Sequence, residues 1–150
     1  MSGLEQLYQQ IILEHSKQRT GEGLIEAEGK RAASNHQYNP TCGDEINLRV
    51  ILKDQEGVIE SISWEGDGCS ISMAAASVLS EMAPGMTTQE FQALVDDFRE
   101  MLRSRGTVEP DEEVLGDAAA FAGVSRFVAR VKCAMLSWVA AEEAAKEASA

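Results

Sequence analysis

The chain has 150 residues, 44% of them hydrophobic and 25% charged, which suits one globular domain over residues 1–150 with a core that needs no disulfide staples. Its formal net charge of −12 argues against nucleic acid and against anionic membrane surfaces, because phosphate binding needs clustered Lys and Arg. No basic and apolar leader follows Met1 and no apolar run approaches the ~20 residues that cross a bilayer, so the expected location is the cytoplasm, where three thiols stay reduced.

Leu4, Leu7, Tyr8, Ile11 and Ile12 recur at helical spacing and predict an amphipathic helix to about Ser16, with His15 near its carbonyl end. Gly21, Gly23 and Gly29 predict a mobile connection to about Arg31. Ala32–Tyr38 reads as a short extended segment carrying His36, whose role stays open. Asn39-Pro40-Thr41-Cys42-Gly43-Asp44 is a turn in which Pro40 fixes the chain and Gly43 frees it. Such a turn can aim a thiol and a carboxylate at one point.

Glu45–Lys53 alternates, with Ile46, Leu48, Val50 and Leu52 on one side and Ile51 as the exception. Asp54-Gln55-Glu56-Gly57 is a turn, and Val58–Trp64 completes a β-hairpin with a one-sided core. Gly66-Asp67-Gly68-Cys69 closes that strand. Ser70–Met82 then reads as a helix stopped by Pro84-Gly85, which puts Cys69 at a helix N-terminus where the dipole favours a thiolate.

Thr87-Thr88-Gln89-Glu90 has the form of a capping box, followed by an apolar stripe (Phe91, Leu94, Val95, Phe98, Leu102) to about Arg105. A further helix is expected over Asp111–Ala122, ended by Gly123. The last helix is expected from a Ser125 cap to about Lys146, with a fraying Ala/Glu tail. Its apolar face is Phe127, Val131, Met135, Trp138 and Val139, which leaves Cys133 off the core, on the side of Arg130 and Ser137.

Three cysteines that flank Gly, Asp or Arg, with one aspartate, offer the four ligands of a metal site: Cys42, Asp44, Cys69 and Cys133. Zinc accepts such a shell, and iron–sulfur clusters also favour thiolates. A closed four-ligand shell leaves no position for an activated water. A thiolate released from the metal is instead a nucleophile toward sulfur carried by another protein.

Asn39-Pro40-x-Cys42-Gly43-Asp44, Gly66-x-Gly68-Cys69-x-Ile71-Ser72-x-Ala74 and Arg130-x-x-Cys133 together resemble the IscU/SufU family of iron–sulfur cluster assembly proteins. The resemblance runs from the first helix to Trp138. It implies an α+β fold, a small antiparallel sheet of three strands packed by helices, with the three cysteines and the aspartate converging on an exposed site. Scaffold-type members carry a histidine immediately before the last cysteine, where this chain has Lys132. That difference, and the longer segment from roughly Gly85 to Val124, resemble the SufU branch.

The branch implies a zinc-dependent sulfur carrier rather than a self-contained enzyme. Cys42 would accept persulfide sulfur from a SufS-type cysteine desulfurase and pass it to a downstream iron–sulfur scaffold. Asp44, Cys69 and Cys133 would hold the zinc, and Arg130 would assist docking or stabilise thiolate charge. The alternatives are a scaffold on which a transient iron–sulfur cluster is assembled and, from a different class, a structural zinc domain.

Overall fold

The computed structural model describes residues 3–53 and 56–150, so Asp54 and Gln55 of the expected hairpin turn lie outside the described residues. Helix α1 (Gly3–Gln18) precedes strands β1 (Arg31–Asn39), β2 (Asp44–Lys53) and β3 (Val58–Asp67). Helices α2 (Ser70–Met82), α3 (Thr88–Arg103) and α4 (Glu112–Leu115) follow, then a 3-10 segment over Gly116–Arg126 and helix α5 (Val128–Ser149). The three strands form an antiparallel meander in the order β1-β2-β3. The α+β class expected from the motifs is therefore the fold observed.

Register positions the site. Asn39 pairs with Asp44, so Pro40–Gly43 is the tip of the β1–β2 hairpin, and Glu45 pairs with Asp67 across β2–β3. Asp44 thus lies level with the residues that leave β3 for α2. On β2 the alternation holds, with Ile46, Leu48, Val50 and Leu52 all buried. The exceptional Ile51 is buried as well and sits at a register irregularity between Ile51 and Leu52.

Helix α5 crosses β1 and β2 and also packs on α2 and α3. Its Trp138 stacks on Phe98 of α3 at 3.9 Å between ring centroids and donates its indole N–H to the Ala75 carbonyl of α2 at 3.1 Å. The Thr87 capping box is present, the hydroxyl accepting from the Glu90 N–H and the Glu90 carboxylate accepting from the Thr87 N–H.

Several expectations need correction. The connection after α1 is tied down rather than loose. Gly21 O accepts from Trp64 N, Gly23 N donates to Trp64 O, and the Trp64 indole donates to Thr20 O, at 2.7–2.9 Å. The helix expected over Asp111–Ala122 stops at Leu115, because Gly116 takes φ +52°. The chain then winds as a 3-10 segment straight through Gly123. Ser125 does not cap α5: its hydroxyl donates to Ala122 O, and Phe127 occupies the cap position.

Cys133 is not off the core. It is fully buried, as are Ser137 and Ala134 beside it, because α5 is covered by the sheet on one side and by helices on others. The Ala/Glu tail does not fray: Ala140, Ala141, Ala144, Ala145 and Ala148 are buried, and Arg31 donates to the carbonyls of Ala148 and Ser149 at 2.8 Å.

Candidate metal centre

Three chain segments meet at one end of the sheet. The hairpin tip carries Cys42, the first residue of β2 is Asp44, and the second turn of α5 carries Cys133. Ligand atoms of these three lie within 4.8 Å of one another. Cys69, the N-cap residue of α2, joins them through Asp44: its backbone N–H donates to Asp44 Oδ1 at 2.8 Å, and its Sγ lies 3.9 Å from Oδ2. Three of the four residues named from the sequence thus form one group, and Cys69 lies beside it in contact with Asp44.

Asp44 is fully buried, yet among the described residues it forms no salt bridge with a cation. Among the described residues its oxygens accept hydrogen bonds from Cys69 alone. A buried carboxylate ion without a positive partner is costly in a medium that solvates charge poorly, and such groups are usually paired, bound to a metal or neutralised by a proton. The donor set has the same character, three sulfurs and one carboxylate oxygen. Zinc–sulfur bonds of about 2.3 Å in a tetrahedron would space neighbouring sulfurs by about 3.8 Å. Cys42 and Cys133 can meet that spacing only with their sulfurs reduced and unbonded; the donor set itself, sulfur and carboxylate oxygen, fits zinc.

Cys42 and Cys133 are joined as a disulfide across 91 residues of sequence, with their Cα atoms 6.7 Å apart. This corrects the expectation of three reduced thiols. The family resemblance implies that these sulfurs converge, and the expectation of reduced thiols rests on the redox compartment alone. Cys69 is the free cysteine of the three and is half-buried. Metal binding requires the thiolate form, so a metal-loaded site has Cys42 and Cys133 reduced.

Three neighbours shape the site without having been singled out for a role from the sequence. Asn39 is buried; its side-chain N–H points at Cys42 Sγ at 3.4 Å while its Oδ1 accepts from Thr41 N at 3.1 Å. The second bond is an Asx turn, the signal that could have been read from Asn-Pro-Thr. Ser72, two residues inside α2, has its hydroxyl 3.6 Å from Cys69 Sγ. Gly68 lies against Asp44: a Cβ there would fall 2.9 Å from the Asp44 Cγ, so the carboxylate occupies the space a side chain would take.

Arg130 is exposed on the first turn of α5, and no hydrogen bond links it to a cysteine sulfur or to Asp44 among the described residues. His36 is exposed and bonds Glu45 across the sheet at 2.6 Å, outside the ligand group. His15 forms a second cluster with Glu81 and Asp117. Its ring nitrogens already bond the Ser77 hydroxyl at 2.8 Å and Asp117 Oδ2 at 3.0 Å, so it ties α1 to α2 and the 3-10 segment.

The family model for the NifU-like N-terminal domain matches residues 7–134. The chain is 38% identical to the iron–sulfur cluster assembly scaffold protein IscU of Streptococcus pyogenes serotype M1, over 99% of this chain and 89% of that one. It is 37% identical to the zinc-dependent sulfurtransferase SufU of Bacillus subtilis (strain 168), over 95% of this chain and 91% of that one. Among solved structures it superposes on a SUF-system cluster-assembly scaffold candidate from Fervidobacterium islandicum AW-1 with a TM-score of 0.80. That pair is 31% identical over 95% of this chain and 99% of that one.

Proposed function

The chain belongs to the NifU-like N-terminal domain family, which includes the IscU- and SufU-type iron–sulfur cluster assembly proteins, and we propose that it acts there as a zinc-dependent sulfur carrier, folded as one domain. Cys42, Asp44, Cys69 and Cys133 are the zinc ligands in this reading, and Cys42 is the sulfur acceptor. The observation that carries it is the buried, cation-free carboxylate of Asp44 set among three sulfurs. Zinc bound there would keep the thiolates unprotonated and exchangeable.

Cys42 is the ligand best suited to leave. It sits on a hairpin tip, half-buried between exposed Thr41 and Gly43, whereas Cys133 is fixed in the core and Cys69 in a helix cap. Freed, its thiolate attacks the outer sulfur of a persulfide on a cysteine desulfurase. The donor's S–S bond breaks, its cysteine leaves as thiolate, and a new S–S bond forms on Cys42 with no net oxidation. The Asn39 side-chain N–H, aimed at Cys42 Sγ, stabilises the negative charge on that sulfur before attack. The partner that next receives the sulfur is a cluster scaffold in this reading, and the working compartment is the cytoplasm. Consistent with that, no helix among the described residues is long and apolar enough to cross a membrane.

The experiment is to reduce the protein, load it with zinc, and mix it with a SufS-type desulfurase and cysteine. About one zinc per chain, no visible absorption and a persulfide located on Cys42 by mass spectrometry are the expected results. A Cys42→Ala variant that still stimulated desulfurase turnover fully would refute the carrier reading. Iron and sulfide in the isolated protein, with no persulfide on Cys42, would favour the scaffold reading instead.

A further inference from the structure

Charge is unevenly distributed around the site. The chain carries 25 acidic residues against 13 Lys and Arg. Yet an open groove of about 740 Å³ beside the hairpin tip has four cationic lining residues, Arg99, Arg103, Arg105 and Lys132, and no Asp or Glu. Arg99 is neutralised by Glu142, with Nη2 and Oε1 2.6 Å apart. Arg103, Arg105 and Lys132 are exposed and make no ion pair among the described residues. In a chain with so large an excess of carboxylates, three uncompensated cations converging on one groove form a local field opposite in sign to the protein as a whole.

The groove also has an apolar floor, to which Val131 and Val139 of α5 contribute, and Pro40 and Thr41 form part of its wall. Its occupant would therefore touch the residues immediately before Cys42, and Lys132 would place a cation against it one residue before Cys133. A cationic rim over an apolar floor matches a protein segment that carries Asp or Glu around an apolar anchor. We propose that this groove docks such an acidic segment of the sulfur-donating partner, seating it against the Cys42 turn so that its persulfide reaches Cys42.

The donor, rather than a later acceptor, is the occupant chosen because it must approach the loop while Cys42 is still held. A segment pressing on Pro40 and Thr41 bears on the only ligand carried by a hairpin tip. This inference rests on the carrier reading above and concerns where that partner binds. Rim charges act mainly on encounter, so their effect belongs in the association rate and its salt dependence.

The test uses the full reduced, zinc-loaded chain and a purified SufS-type desulfurase, with association followed by surface biolayer kinetics over a range of salt. Arg103→Glu with Arg105→Glu is expected to slow association on the order of tenfold at low salt and to flatten the salt dependence. Arg103→Lys with Arg105→Lys is expected to keep most of the rate. Lys17→Glu with Lys53→Glu, exposed charges on α1 and β2 away from the groove lining, makes the same net-charge change and serves as the control. Circular dichroism checks the fold, and Arg103→Gln with Arg105→Gln replaces the reversal if that variant is misfolded.

Unchanged association in the charge-reversed and Gln variants would overturn the inference, as would an equal slowing by Lys17→Glu with Lys53→Glu. Loss of self-association, or of transfer to a downstream scaffold, with desulfurase binding intact would also overturn it, by assigning the groove to another occupant. These outcomes are separable from failure of the carrier reading, which is decided by persulfide on Cys42 at saturating desulfurase and not by the rate of encounter.

Discussion

Replacing Gly68 by Ala tests whether Asp44 is held for a ligand's purpose. The added methyl would lie 2.9 Å from Asp44 Cγ, closer than real Cβ contacts come, and 3.1 Å from its Cβ, tighter than most. Asp44 has no exposed surface to retreat to, and its backbone is paired with Asn39 of β1 and followed by Glu45, which pairs with Asp67 of β3. Relief must come from turning the carboxylate, which breaks the 2.8 Å bond from the Cys69 N–H. A hydrogen bond to a charged group contributes about 1.5–3 kcal/mol, and overpacking adds about 1–3 kcal/mol, so a loss of about 3 kcal/mol is expected. With a urea slope of about 2 kcal/mol/M, that is a midpoint shift of about 1.5 M.

Zinc affinity should also fall by about 10–100-fold, the usual consequence of disturbing the group that orients a ligand. Urea melts of the metal-free reduced protein and competition for zinc with a chromophoric chelator measure the two effects separately. Gly43→Ala is the comparison: its Cβ would meet nothing within 4 Å, but its φ of +69° costs about 1 kcal/mol for any other residue. If Gly68→Ala matched Gly43→Ala in both assays, the steric argument for the Asp44 position would be wrong.

Two further predictions concern charge. Burial raises the Glu142 carboxyl, but hydrogen bonds from Arg99 and Gln92 more than offset this and hold it below its ordinary 4.5. Its contribution to stability is therefore present above about pH 4.5 and is lost as pH falls through the lowered folded value; Glu142→Gln should remove that acid-side slope and cost about 2 kcal/mol at neutral pH, read by denaturant melts across pH. Burial and the bond to Glu112 push the Tyr8 phenol from 10.0 to about 12. Stability should decline as pH rises from about 10 to about 12, and a Tyr8 that ionised near 10 in ultraviolet titration would refute it.

Much of this fold could be read from local signals. The β2 alternation, the Ser70–Met82 helix with Cys69 at its cap, and the Thr87 box each depend on residues close in sequence, and each occurs where those residues predict it. The failures came where distant segments decide. The periodicity of α5 predicts one apolar stripe, with Cys133 off it on the side of Arg130 and Ser137, but small alanines let β1 pack closely along the helix. Arg31 could not be seen to reach the carbonyls of Ala148 and Ser149 from 117 positions away. The turn composition points to Cys42 and Asp44 and the family motifs imply that Cys133 converges on them, whereas the direct pairing of Cys133 with Cys42 is a property of the packed molecule.

The same packing divides labour among the four candidate ligands. Cys133 is anchored by a helix buried on several sides, Asp44 by its pairing with β1 and by Gly68, and Cys69 by the start of α2. Moving any of these disturbs the core. Cys42 alone is borne by four residues between paired Asn39 and Asp44, so its excursion costs a turn rather than a core. A carrier needs that asymmetry, three ligands that keep the metal and one that can depart. A purely structural zinc domain gains nothing from a weakly anchored fourth ligand, and would place it where packing could hold it. The position of Cys42 on the hairpin tip, next to a cationic groove, is therefore the feature that argues for exchange over simple cross-linking.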